Sequence, residues 1–266
     1  MTRSYSSSMV ALCLAIVGLR SACAQTAPAT LTRLASPVDS SRVHAFYELD
    51  RIARTAIGAR ATQGPRTAVL AERAKGDRQL ATALTTLLHR ENELLRTGVR
   101  SASMNPDDLM EYRIDLAVTV ARMRDPTSVN DLMPWVGGGG AVRDALISFG
   151  EAAVPGLIAE LTNSEWEQRT TAASTLAVIA GSAPHPLSPP AKASVRAAFL
   201  RVLENESDTF VRVHAIDGLA TFSDDEVRST MERLATSDPA TDPSRTDAVH
   251  YPVREAAKAW LAKHPR

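Results

Sequence analysis

From Val43 to the C-terminus the apolar residues fall at helical spacing, three or four positions apart, with polar residues between them. Val43, Phe46, Tyr47, Leu49, Ala53, Ala56 and Ile57 make one broad stripe, and Gly58 follows as a natural stop. A second helix is predicted over Ala68 to Ala74, ending near Gly76. A third is predicted from about Arg78 to Arg96, with Leu80, Leu84, Leu87, Leu88, Leu94 and Leu95 on its apolar side. After Asn105-Pro106 the predicted helices alternate in pairs: Asp107 to Arg124, a shorter one over Pro126 to Val136, one opening at Ala141, then Val154 to Leu161 followed by Glu165 to Ala180, and Ala191 to Leu203 beyond a proline-rich connection. Phe210 to Phe222, Glu226 to Ala235 and Pro252 to His264 complete the series. No alternating, strand-like run interrupts it, so the predicted class is all-α.

Inside this pattern one short phrase recurs: a residue that is usually apolar, an arginine, then small or aliphatic residues four and eight positions after the first. It reads Tyr112-Arg113 with Leu116 and Val120, and Val142-Arg143 with Leu146 and Gly150. It returns as Gln168-Arg169 with Ala172 and Leu176, Val211-Arg212 with Ala215 and Leu219, and Val253-Arg254 with Ala257 and Leu261. That spacing places the flanking residues on one helical stripe with the arginine at its edge. Recurrence every few tens of residues marks stacked helical units, none able to bury its apolar face alone. The predicted organisation is a repeat domain over 105–266. Residues 42–104, without the phrase, form an N-terminal helical cap or degenerate repeats.

The run Val154-Pro155-Gly156-Leu157-Ile158-Ala159-Glu160-Leu161-Thr162-Asn163, followed by Arg169-Thr170-Thr171-Ala172-Ala173-Ser174-Thr175-Leu176, resembles a HEAT repeat of the short bacterial kind. There a "VPxLIxxL" helix precedes an "xxRxxAxxxL" helix. The family usually places Asp or Asn six residues before the arginine. Asn163 and Asp107 fit and Glu206 fits in part, while nothing suitable precedes Arg143 or Arg254. The resemblance covers about Asp107 to the C-terminus. It implies a right-handed α-solenoid of HEAT-like helix pairs, with second helices lining a concave surface and repeat arginines bonding between neighbouring units. It implies no particular activity.

The first residues change the picture of location. Arg3, the apolar run Met9 to Leu19 and the small-x-small site Ala22-Cys23-Ala24 read as a secretory signal peptide over 1–24, leaving Gln25 as the new N-terminus. The run is shorter than the roughly 20 residues a membrane span requires. A lipid anchor on Cys23 is the alternative, although Arg20 stands where such a signal has an aliphatic residue. Residues 25–41, rich in Pro, Thr, Ser and Ala, read as a flexible leader. Cys13 and Cys23 both lie in the signal, so the mature chain would have neither disulfides nor thiol chemistry. The chain is formally neutral, and losing Arg3 and Arg20 tips it slightly acidic, which offers nothing to nucleic acid. Abundant Arg and Ala with scarce Lys are common in GC-rich bacterial coding. The expected location is periplasmic or extracellular.

Candidate chemistry is sparse. The recurring arginines follow the fold's own period and read as bridges between helices rather than a ladder for anions. Gly137 to Gly140 precedes a helix but lacks the strand and lysine of a phosphate loop, and reads as a tight connection. The insertion Ser237 to Tyr251 carries Asp238, Asp242, Asp247, His250 and Tyr251, leaving three readings open: a hard-cation site, a contact loop and a solvated excursion. His214 with Asp217 has the spacing of a base and its orienting acid, and equally that of a surface pair. The expectation is no catalytic residue, no cofactor and no metal, in a non-catalytic scaffold for a protein or peptide partner. Its candidate contacts are the outward residues Thr171, Ser174, His214, Asp217, Glu255 and Lys258. A HEAT-like enzyme of lyase or hydrolase type, or a structural envelope component, are the alternatives.

Overall fold

A computed structural model describes residues 28–57, 67–99, 101, 103–182, 186–241 and 250–266. Among these residues the regular structure is helical throughout and contains no strand. The signal peptide 1–24 with Cys23, the first residues of the leader, Gly58, His185, Asp242 and Asp247 lie outside the described residues. The chain divides into two compact units, one ending at Met123 and the other beginning at Arg124.

The N-terminal unit contains α1 (Pro28–Leu34), α2 (Asp39–Ile57), α3 (Ala68–Gly76), α4 (Arg78–Arg96) and α5 (Pro106–Met123). Helix α1 falls where composition predicts a flexible leader. It is held by packing against α2 and α4, which buries Thr30 and Leu34; tertiary burial orders a segment whose local signals are those of a linker. Asp77 caps α4, its carboxylate accepting from the amides of Gln79 and Leu80 at 3.1 Å. The α4 leucines Leu80, Leu84, Leu87 and Leu88 are buried as the stripe predicts. Phe46, Tyr47 and Tyr112 meet edge to face, with centroids 5.2 to 6.4 Å apart.

Helix α5, predicted as the first helix of the repeat domain, belongs to this front unit. Its Leu109, Leu116 and Val120 are buried, it packs on α3 and α4, and Arg113 Nε donates to Glu91 Oε2 of α4 at 3.0 Å. The compact units divide at 123/124, whereas the sequence pattern places its boundary at 104/105: a turn at Asn105-Pro106 marks the start of a helix and says nothing of what that helix packs against. Glu91 also accepts from Arg42 Nε at 2.8 Å, and neither of those side chains is exposed. Arg42 further donates to the carbonyls of Ser36 and Pro37 at 3.0 and 3.1 Å, closing the turn between α1 and α2. Burial pushes the phenol of Tyr112, beside this cluster, above its ordinary range.

The C-terminal unit opens with 3-10 turns at Pro126–Ser128 and Met133–Trp135 flanking a short α6 (Val129–Leu132). A single helix over Pro126 to Val136 is the sequence expectation. Pro134 lacks the amide such a helix needs and crowds the carbonyl four residues back, so the segment breaks while Leu132 and Trp135 stay buried. There follow α7 (Gly140–Phe149), α8 (Val154–Glu160), α9 (Trp166–Ala180), α10 (Pro189–Asn205), α11 (Thr209–Gly218), α12 (Asp225–Ser237) and α13 (Pro252–Lys263). The expected helix Phe210 to Phe222 finishes as a 3-10 turn at Leu219–Thr221.

Packing in this unit is sequential: α9 lies against α7, α8 and α11, while α13 lies against α11 and α12 and α10 lies against α11. The starts of α11 and α13 share one residue, since Arg212 pairs with the carboxylate of Asp238 and Arg254 Nε donates to its carbonyl at 2.5 Å. At the other ends Trp260 Nε1 donates to the Leu219 carbonyl at 3.0 Å, so the two helices run parallel. The starts of α9 and α11 meet at Glu206, which takes Arg169 Nε at 2.7 Å and the Asp208 amide at 2.8 Å. Those donors hold the Glu206 carboxyl below its usual range against the opposing effect of burial. Arg169 also donates to the carbonyls of Asn163 and Ser164, both at 3.0 Å.

Candidate functional site

The side chains of the N-terminal unit converge on a pocket of about 580 Å³. Helix α2 contributes Tyr47, Asp50 and Arg54, α5 contributes Asp108, Glu111 and Asp115, and Met104 and Thr67 complete the wall. The α2 residues recur three or four apart, which aligns them on one face of that helix. Tyr47 hydroxyl donates to Asp115 Oδ2 at 3.1 Å. Asp50 is 5% exposed; its Oδ2 pairs with Arg54, whereas its Oδ1 is buried with no hydrogen-bond partner. The hydroxyl of Thr67 is likewise buried and unpartnered, on a residue whose φ of 71° lies in the left-handed region. Buried polar atoms without partners are uncommon, and non-glycine residues at positive φ carry strain; both gather at functional sites. Val43, Tyr47, Arg51 and Met104 also border an adjoining depression of about 650 Å³.

The six residues predicted as partner contacts all reach solvent on the C-terminal unit. Thr171 and Ser174 of α9 and His214 of α11 are half-buried, whereas Asp217 of α11 and Glu255 and Lys258 of α13 are exposed. Because α9, α11 and α13 neighbour one another in that order, these positions fall on successive adjacent helices. His214 Nδ1 stands 3.6 Å from Asp217 Oδ2, too far for a hydrogen bond, and Asp217 is largely solvated. The pair is an ordinary surface contact. Glu255 instead meets His250, Nε2 to Oε2, at 2.7 Å.

The insertion after α12 spends its first carboxylate on the fold. Asp238 is 4% exposed, and both its oxygens take Arg212. Among the described residues no three His, Cys, Asp or Glu side chains gather as a metal would need. The four glycines hold a connection: the Gly137 amide donates to Gln168 Oε1 at 3.0 Å and the Gly138 amide to the Trp135 carbonyl at 2.7 Å, so neither points at an anion. Of the recurring arginines, 113, 169, 212 and 254 bond within the protein as the spacing predicts. Arg143 has a buried Nε without an acceptor, and it is one of the two with no acid or amide six residues before it.

The pocket around Asp50 escaped the sequence reading. Its α2 residues lie within a helical stripe, but its α5 partners lie more than fifty residues on. No spacing rule joins the two; only the packing of the unit does. Among the described residues no helix is long and apolar enough to cross a membrane. A scan of family models and a search of curated proteins find no match to the chain. Among solved structures the chain is similar to a crystal structure of an engineered protein, at 17% identity and a TM-score of 0.46, with 88% of this chain and 94% of that one covered.

Proposed function

We propose that the protein is an exported, non-catalytic HEAT-like scaffold whose C-terminal unit offers the outward faces of α9, α11 and α13 to a protein or peptide partner. One observation carries this reading: these three helices pack side by side in chain order, with α11 and α13 parallel. A row of that kind is how a solenoid of helix pairs is built, and a right-handed HEAT-like array is the form its arginine phrase resembles. Such rows expose a long continuous surface rather than a closed cavity. Trp166 at the start of α9 and Phe210 at the start of α11 leave about half of their surface exposed on neighbouring helices, and large aromatics are the residue type that anchors interfaces. Export rests on the signal-peptide reading of residues 1–24.

The test is a pull-down from envelope extract with the purified mature chain and with a double variant, Asp217→Lys with Lys258→Glu. The reading expects a partner that the wild type retains and the variant loses. Recovery of no partner, or of only the same chain, would count against it; self-association alone would favour a structural envelope component.

A further inference from the structure

We propose that His264 is a proton-operated latch, tying the end of α13 to the end of α11 when its ring carries two protons and releasing it when the ring carries one. This goes beyond the scaffold reading and does not rest on it. Both ring nitrogens of His264 face backbone carbonyl oxygens: Nδ1 stands 2.8 Å from the Trp260 oxygen and Nε2 stands 3.0 Å from the Ala220 oxygen. A carbonyl only accepts, so each contact is a hydrogen bond only if the ring nitrogen carries a proton. Neutral imidazole has one such proton, and either tautomer sets a lone pair against a carbonyl oxygen at hydrogen-bond distance. The imidazolium alone donates to both.

Two further features favour the cation. The His264 ring stacks on the Trp260 indole, with centroids 4.1 Å apart and planes 18° from parallel, and an indole face attracts cations. His264 also follows the last turn of α13, where the final carbonyls gather negative partial charge. Arg228 of α12 donates to the His264 carbonyl at 2.5 Å and Lys263 adjoins it, and both oppose another positive charge. Of the acids on α12, Glu232 takes Arg266, while Asp224 and Glu226 take Arg196. At this end of α11 His214 and Asp217 face each other at 3.6 Å, and the turn Leu219–Thr221 bears no charged side chain. Among the described residues no carboxylate pairs with the ring, so the two carbonyls, the indole and the helix end make the latch. Beside it the Trp260 indole donates to the Leu219 carbonyl at 3.0 Å whatever the pH. Consecutive carbonyls of one turn thus take one permanent donor and one that comes and goes with a proton. The His264 bonds are complete in acid and lost as pH rises.

The experiment measures urea unfolding of the full mature chain and of its His264→Gln variant at about pH 5 and about pH 8, on either side of the ordinary imidazole range. Glutamine carries no charge at either pH and donates from one nitrogen only. The variant is expected to unfold about fivefold more readily than wild type at the acid pH and to match it within about twofold at the alkaline one. The other histidines are common to both chains and cancel in the comparison. A second readout leaves the protein folded. Protonated imidazole quenches an indole stacked on it, so native tryptophan fluorescence should rise from acid to alkaline pH in wild type, and rise less in the variant. If His264→Gln does not fold, the wild-type fluorescence decides. The proposal is overturned if the variant is weaker by the same factor at both pH values, which makes His264 a packing residue only. It is also overturned if the two chains unfold alike at both, or if the wild-type fluorescence does not change with pH.

Discussion

Arg42 and Arg169, in different units, hold their surroundings with the same set of bonds. Each donates to the carbonyls six and five residues before it, Ser36 and Pro37 for Arg42 and Asn163 and Ser164 for Arg169, and each gives its Nε to a distant glutamate. Ala45 and Leu49 follow Arg42 at the intervals at which Ala172 and Leu176 follow Arg169, and all four are buried. The guanidinium fork closes the turn between two helices and ties the second to a glutamate further along the chain, on α4 for Arg42 and in the connection between α10 and α11 for Arg169. The recurring phrase therefore extends into the front unit, which the sequence reading left without it.

The Arg42–Glu91–Arg113 group sets the first prediction. Glu91→Ala leaves the buried Arg113 guanidinium without its acid and Arg42 with Asp39 alone, and should cost about 3–5 kcal/mol, seen as a lowered urea midpoint. Replacing all three with apolar residues of similar volume should cost much less. Equal losses would show that the charges themselves do not govern the effect.

Helices α10 and α11 approach closely at Gly218, where an added Cβ would lie 2.1 Å from the Phe199 ring. Gly218→Ala should destabilise by about 1–3 kcal/mol, and adding Phe199→Leu should recover part of the loss. Gly156→Ala meets only the flexible end of Met133 and should cost less. Thermal unfolding of the three variants checks the order.

Acid should loosen the start of α12. Asp224 caps that helix, and its hydrogen bonds from Arg196, opposed by desolvation, hold its carboxyl at about 2, below the ordinary 3.8. Because the folded value is the lower one, the stabilisation is complete above about pH 4 and fades as pH falls towards 2. Its size should stay near 1 kcal/mol, since the carboxylate is partly solvated and the pair is screened. Asp224→Asn should flatten this part of the stability–pH curve relative to wild type; parallel curves would contradict the assignment.

The export reading predicts a mature chain that begins at Gln25 and is unchanged in location by Cys23→Ser. Intact-mass measurement of the exported protein checks both points. A lipid-modified cysteine at the new N-terminus would select the anchored alternative.

Helices were legible wherever a stripe ran unbroken: Arg78–Arg96 carries its leucines at regular intervals and caps itself with Asp77. The break at Met133–Trp135 was less legible, because Pro134 sits inside an otherwise apolar stripe that remains buried after the helix fails. Helix α1 was illegible, since among its described side chains Leu34 alone is large, apolar and buried, and its order comes from α2 and α4. The phrase at Arg42 is masked in the sequence by the polar Ser41 at its first position, at the edge of a segment with the composition of a linker. The positions proposed as partner contacts followed from helical phase alone, and all reach solvent. The Asp50 pocket depends on α2 meeting α5 across a long stretch of chain, which no local pattern encodes.

The most direct test of the scaffold reading places a photo-cross-linking amino acid at Ser174, Asp217 and Lys258, and as controls at Arg201 of α10 and Glu232 of α12, in protein exported by living cells. The account predicts one discrete adduct with a different protein from the α9, α11 and α13 positions and none from α10 or α12. Adducts of equal strength from both sets, or from neither, would contradict it.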